Sequence, residues 1–197
     1  MNVRVWLEVE LTNKRNELLF RNKQPIRSFL YNWTKALYGL AYGACTTRVV
    51  ELVDTDGILR KYPSLYSQSY PVFSFRAGAG NTNYGILFGN GTKSVELSDY
   101  CLDSKIGHGT SAGQLSYQDT ILEHSSASDR SYLIVSRSAD NVSGGDITVS
   151  EVGLAFNERD ADAGSLFFLI LRDILDPAMT VANTQTITAR YVFEFLL

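Results

Sequence analysis

Few stretches of this chain combine residue types and spacing that could do chemistry. Gly109-Thr-Ser-Ala-Gly113 matches the G-x-S-x-G spacing of a nucleophile elbow, in which a strained strand-to-helix turn lifts a serine hydroxyl above a parallel sheet. Here Gly107-His-Gly109 leads into it and an alternating, strand-like stretch follows, so a mobile glycine loop is the expected structure. His108 and His124 are the only histidines, too few for a histidine-rich metal site, and each reads as a surface or loop residue. Two histidines in loop contexts cannot complete a set of nucleophile, base and orienting group around Ser111, so no enzymatic activity is expected. Glu158, Asp160 and Asp162 alternate and could offer oxygens to calcium, but they lack the further carboxylate and glycine spacing of an EF-hand loop. A solvated acidic loop beside Arg159 is the expectation. Gly78-Ala-Gly80 has no helix pattern after it and is not a phosphate cradle, so no cofactor is expected.

Charge and cysteine content narrow the partners. The net charge of −3 is spread over interspersed acids and bases, without the basic face that phosphate binding needs, and nucleic acid is not an expected partner. No apolar run approaches the roughly 20 residues of a membrane helix. The first residues carry no apolar signal region, so the mature chain is expected to begin at Met1, with no membrane as partner. Cys45 and Cys101 are far apart, match no metal-ligand spacing, and read as buried or half-buried thiols. A chain of 197 residues is long enough to bury roughly two thirds of its unfolded surface, so it needs no disulfide framework. Asn32, Asn90 and Asn141 each open an N-x-S/T triplet, read here as chance matches.

The elements that would position these residues are mostly strands. Ile147 to Phe156 and Leu166 to Ile174 are the two most apolar neighbouring runs, separated by the polar stretch Asn157 to Ser165, and predict the central antiparallel hairpin. Val3, Val5, Leu7, Val9 and Leu11 alternate with polar residues, broken by Trp6, and Glu17 to Arg21 returns after a turn, so the chain opens with a β-hairpin. Beyond Pro25 the period lengthens: Ile26, Phe29, Leu30, Trp33, Leu37, Leu40 and Ala41 recur at helical spacing, ending in Gly43. That amphipathic helix would lay its wide apolar face on a sheet or on a partner subunit. Thr46 to Val53 and Ile58 to Tyr62 flank Asp54-Thr-Asp-Gly57, a tight turn with glycine where φ is positive. Pro63 to Asn83 loosens into a boundary or an exposed loop. Short strands then follow, among them Gln114 to His124 and Arg130 to Arg137, with Asp176-Pro177 as an interruption and Thr184 to Phe195 closing the chain. The fold class is therefore mainly β, an antiparallel sandwich of jelly-roll type with an N-terminal hairpin and one amphipathic helix. Residues 1–76 form a hairpin-helix-hairpin module and residues 84–197 the sandwich.

Several segments of the second half occur in an order that carries a resemblance. They are Gly85-Ile-Leu-Phe-Gly-Asn-Gly-Thr92, Leu97-Ser-Asp-Tyr-Cys-Leu-Asp-Ser-Lys-Ile106, Ile147-Thr-Val-Ser-Glu-Val-Gly-Leu154, Leu171-Arg-Asp-Ile-Leu175 and Thr186-Ile-Thr-Ala-Arg-Tyr191. In this the chain resembles small virion structural proteins of tailed bacteriophages and prophages, which pair a "VGTG, then DY-x-L" segment with "ITVSEVGL", a short "ARD" strand and a final "TLTVTYT" strand. It departs from them at Leu171, where the group has alanine, and in the large residues of its last strand. Pro25 to Phe29, reading PIRSF, is similar as well.

The resemblance implies a non-enzymatic virion component, a head decoration, collar, adaptor or tail subunit, that packs with copies of itself and with neighbouring virion proteins. Its implied location is the virion. A sandwich that binds carbohydrate or a host receptor stays open beside it, with Tyr62, Tyr66 and Tyr70 as stacking platforms for sugar rings. A hairpin with one helix is marginal alone, so the amino-terminal module must bury its apolar face on its own sandwich or on another subunit. Trp6, Phe29, Trp33, Leu37 and Tyr38 are the candidate interface, and a chain lacking residues 1–43 is expected to fold without assembling.

Overall fold

Side-chain alternation fixes which face of each strand turns inward, and here it builds two antiparallel sheets around one core. A computed structural model of the chain describes residues 2–26, 28–42, 50–62, 73–160 and 164–196. The elements are β1 (Asn2–Thr12), β2 (Leu18–Pro25), α1 (Tyr31–Tyr42), β3 (Val50–Val53), β4 (Leu59–Tyr62), β5 (Gly85–Gly89), β6 (Ser116–Ser126), β7 (Arg130–Asp140), β8 (Ile147–Asp160), β9 (Gly164–Val181) and β10 (Thr186–Leu196). A five-stranded sheet runs in the order β2-β1-β10-β7-β6, a three-stranded sheet in the order β5-β8-β9, and β3-β4 stand as a separate pair. All the pairings are antiparallel.

Leu7, Val9 and Leu11 of β1 and Ile187, Ala189, Tyr191 and Phe193 of β10 share one core with Ile86 and Phe88 of β5, Val152, Leu154 and Phe156 of β8, and Phe168 and Ile170 of β9. The two larger sheets thus face each other, and Tyr191 crosses between them to donate to the Val152 carbonyl at 3.1 Å. The three-stranded sheet is covered on its other face too. Leu30, Leu87, Leu102, Ala155 and Leu169 form a second buried cluster there, where a Cβ on Gly153 would sit 2.8 Å from Leu102 Cδ2.

The β8-β9 hairpin is present, but longer than its apolar runs. Pairing continues to Asp160 opposite Gly164, so most of the predicted polar loop is strand. The interruption at Asp176-Pro177 is a bulge inside β9: Ile174 pairs with Glu151, pairing resumes at Met179 with Val149, and the Asp176-Pro177 bond is cis. Gly57 has φ of 82°, as its turn requires. The helix differs most from expectation. It starts at Tyr31 and buries Asn32, Ala36 and Gly39, while Leu37 and Leu40 face outward. The Asn32 amide donates to the carbonyls of Val53 (2.8 Å) and Leu169 (3.1 Å) and accepts the Val53 N–H at 3.1 Å. Helix docking is thus set by strand-edge backbone groups that an amide can satisfy and by small residues that allow close approach. Gly43 and the first half of the strand expected from Thr46 to Val53, residues 46–49, lie outside the described residues.

The amino-terminal hairpin belongs to the larger sheet. β1 pairs with β10 over its full length, from Asn2 opposite Leu196 to Thr12 opposite Thr186. Trp6, the break in the alternation, lies on the outer face with the Lys23 ammonium 4.0 Å from its ring centroid, a favourable cation–π distance.

Candidate functional site

Segments far apart in sequence meet at Arg172, on the outer face of the three-stranded sheet. Its guanidinium, 1% exposed, donates to Glu151 Oε2 (2.8 Å), Asp99 Oδ2 (2.7 Å) and the Lys93 carbonyl (2.9 Å). Glu151, fully buried, also accepts the backbone N–H groups of Gly91 (3.2 Å), Asp103 (3.1 Å) and Ser104 (2.7 Å). Burial works against the Arg172 charge, and the Glu151 and Asp99 carboxylates more than offset it, holding the guanidinium above its ordinary value. Glycine is required close by, because a Cβ on Gly89 or Gly91 would lie 2.5 Å from Glu151 Oε1. The GNG, DY, SEVG and LRD segments singled out in the sequence therefore have one structural reason in common: they tie the loop of residues 90–105 to the sheet. Arg172 and Glu151 are enclosed and Asp99 is half-buried, so the hydrogen-bonding groups of this knot are spent on the chain itself.

Arg137 fastens another loop without any carboxylate. It is 1% exposed and donates to the carbonyls of Gln118 (2.8 Å), Ile86 (3.0 Å), Gly78 (3.1 Å) and Asn81 (2.7 Å). Burial pulls its guanidinium below the ordinary value. Nearby, Gly85 has φ of 78°, and a Cβ there would lie 2.4 Å from Thr120 Oγ1.

Asp173 is a buried carboxyl that belongs to no ion pair among the described residues. It follows Arg172 in β9 and so points the opposite way, between the sheets, where it accepts hydrogen bonds from Ser28 Oγ and from Tyr191 Oη (3.1 Å). Burial pushes its carboxyl up to about 6, opposed by those two donors. Burial and then the Asp173 charge raise the Tyr191 phenol. A cavity of about 340 Å³, lined by Gln24, Pro25, Ser28, Val95, Leu97, Asp173 and Ile174, reaches this group.

The expected loci are scattered. Ser111 is exposed in the turn before β6, and its N–H donates to Gln114 Oε1 at 3.2 Å; a strand follows it where an elbow has a helix. His108 is exposed and accepts the Tyr117 N–H at 3.1 Å, and His124 is exposed with Nε2 3.1 Å from Ser131 Oγ. Glu158 is buried within β8, a correction to the solvated-loop reading, and Asp162 lies outside the described residues. Among the described residues no group of three or more His, Cys, Asp or Glu is placed to hold a metal ion. Cys101 is exposed, a correction to the expected burial, and its thiol is pushed up by partial desolvation and by Asp99. Cys45, Tyr66, Tyr70 and the Tyr62 side chain lie outside the described residues. Asn32 and Asn141 are buried, and the Asn141 amide donates to Gly145 and Val181 carbonyls at 2.7 Å each, whereas Asn90 is exposed.

The candidate interface divides. Phe29 and Trp33 pack on their own sandwich, with Trp33 5.4 Å from Phe29, 6.3 Å from Phe73 and 6.0 Å from Phe193 between ring centroids. Trp6 lies under Lys23. Leu37 (43% exposed) and Tyr38 (47%) face outward, joined on the same helix by Tyr31 and Leu40. Comparison with protein-family models, with curated proteins and with solved structures finds no match to the chain.

Proposed function

We propose that the protein is a non-enzymatic structural component of a tailed-phage virion that works by packing against copies of itself and neighbouring virion proteins, on a sandwich of jelly-roll type. The observation that carries this reading is the orientation of α1: with Asn32, Ala36 and Gly39 already spent on docking, the helix still presents Tyr31, Leu37, Tyr38 and Leu40 outward. Large apolar side chains spread over the outward half of a helix are characteristic of an association surface. The order of the virion-like segments from Gly85 to Tyr191 supports the same reading. Two of its most buried charged groups, Arg172 and Glu151, are sealed into a fastener, as suits a building block.

The test is the mass of the full chain by size-exclusion chromatography with light scattering, beside a Leu37→Ser, Tyr38→Ser double variant. A wild-type oligomer that the double variant reduces to a smaller species with an unchanged melting temperature is expected. An oligomer indifferent to the substitutions would exclude α1 as its contact.

A further inference from the structure

Exposed sheet edges carry unpaired N–H and C=O groups, and folds generally cover or gate them. The two larger sheets have four edges, and three are managed. The β9 edge is capped by the Leu30 N–H on the Ile170 carbonyl (3.0 Å), the Thr55 N–H on the Phe167 carbonyl (2.9 Å) and the Gln24 amide on the Ile174 carbonyl (3.0 Å). The β5 edge is capped by the Ile106 N–H on the Phe88 carbonyl (2.9 Å) and by Arg137 on the Ile86 carbonyl. β2 carries Arg21, Lys23 and Pro25, residues that discourage strand addition. Among the described residues the β6 edge is capped only at its start, by the Gly80 N–H on the Tyr117 carbonyl (3.0 Å) and the Ala77 carbonyl on the Thr120 N–H (2.8 Å).

Beyond Thr120, the stretch Ile121-Leu-Glu-His-Ser-Ser126 is exposed at every residue, and among the described residues no backbone hydrogen bond reaches its outer side. It contains neither lysine nor proline, and Ile121 is 54% exposed. Because the Thr120 N–H points outward and direction alternates along a strand, Leu122, His124 and Ser126 also present their N–H and C=O groups outward.

We propose that this edge is a self-association site, at which β6 pairs antiparallel with β6 of a second copy about a two-fold axis at His124. This deepens the assembly reading and rests on it. Only an extended backbone complements such a row of donors and acceptors, and register selects the second copy. Centred on His124, Leu122 lies opposite Ser126 of the second copy, the two His124 residues face each other, and about six backbone hydrogen bonds form. Glu123 then faces a serine, Ser125 of the second copy. Centring on Glu123 would give about four bonds and set two glutamates opposite one another. The paired stretch also fits its bounds: Ala77 blocks one end, and the β6-β7 turn, closed by the Ala127 N–H on the Arg130 carbonyl (2.8 Å), ends the other.

The experiment uses the full chain. His124→Pro and Leu122→Pro each delete an outward N–H that has no partner within the described fold. Both are expected to weaken self-association by at least about tenfold and halve the apparent mass, with the far-ultraviolet spectrum retained. Should proline unfold the strand, His124→Cys in a Cys45→Ser, Cys101→Ser background decides: across the axis the Cα atoms would lie about 5.5 Å apart, within disulfide reach, and a mild oxidant should yield a covalent dimer. Ser126→Cys, distant from its own copy in this register, should not cross-link. An oligomer that survives both prolines, with no His124→Cys dimer, overturns the edge pairing and leaves the assembly reading standing. A wild-type chain that is monomeric at every concentration overturns both and leaves the edge to a strand of a different protein.

Discussion

Asp173→Asn should make the protein more stable at neutral pH. In the fold the carboxyl is pushed up to about 6, from a model-peptide value near 3.8. The unfolded chain therefore loses this proton first as pH rises, and between about pH 4 and pH 6 the folded state binds more protons than the unfolded one. Stability contributed by this group is full below about pH 4, declines as pH rises to about 6, and is flat beyond. At about 1.4 kcal/mol per pKa unit, the ionised group costs the fold about 3 kcal/mol at pH 7. The geometry gives the neutral form a closed chain of bonds: a protonated carboxyl donates to Tyr191 Oη, whose own proton is then free for the Val152 carbonyl at 3.1 Å, while Ser28 donates to the other oxygen. Ionised, Asp173 competes with Val152 for that single proton. An asparagine amide reproduces the neutral pattern, so the variant should match wild type near pH 4 and gain about 2–3 kcal/mol at pH 7.5, or about 4–12 °C in melting temperature. Urea or thermal unfolding of both proteins across pH 4–8 measures it. The difference curve cancels groups such as Glu10, whose carboxyl burial pushes up but Arg190 and Arg21 bring below its ordinary value overall. A difference that is flat with pH, or a variant less stable than wild type at pH 7.5, would refute this reasoning.

Other perturbations follow from the packing. Val152→Asp and Leu169→Asp each place a charge at a fully buried position, Val152 between the sheets and Leu169 in the outer cluster; a cost of several kcal/mol should leave no soluble folded protein, checked by expression and circular dichroism. Glu151→Ala strands Arg172 and three backbone N–H groups. It should lower stability by about 3–5 kcal/mol in urea unfolding and bring forward proteolytic cleavage within residues 90–105. Deleting residues 1–43 removes β1, β2 and α1 and bares the β10 edge, so insoluble material is expected in place of the folded sandwich that the sequence suggested; a soluble chain with a cooperative transition would show that β10 closes the sheet unaided.

Strand parity was the legible part of the fold. The inward faces of β1 and β10 follow the alternation, and Val9 and Ala189, paired across the sheet, both point into the core as the pattern required, although Glu10 and Glu194 on the opposite face are buried as well. Gly57 and the β8-β9 pairing were also readable, because turn chemistry and apolar runs are local. The helix face was not. Of the apolar positions that period counting selects within the helix only Trp33 packs on the core, and the rest of the buried side is Asn32, Ala36 and Gly39, chosen by backbone groups on β3 and β9 that are invisible without the tertiary structure. The buried charges were hidden for a related reason. Arg137, Arg172 and Glu158 sit in strands where alternation reads a charge as solvent-facing, and only distant chain supplies their partners.

Those charges also say how this fold distributes its work. A buried ion pair gains little over a well-packed apolar pair, and a buried guanidinium bonded only to carbonyls gains less, so net stability is a poor reason for Arg172 or Arg137. What each secures is an irregular segment: Arg137 holds residues 78–86, and Arg172 with Glu151 holds residues 91–104. Apolar side chains could cover the same sheet face, but they could not satisfy the carbonyls and N–H groups that these loops turn inward. The fixed loops in turn shape two of the sheet edges, since Ile106 closes β5 and Ala77 closes the start of β6. Among the described residues no such loop reaches β6 beyond Ala77, so the loops that these fasteners hold stop short of Ile121 to Ser126, the stretch at which the proposed second copy would add on.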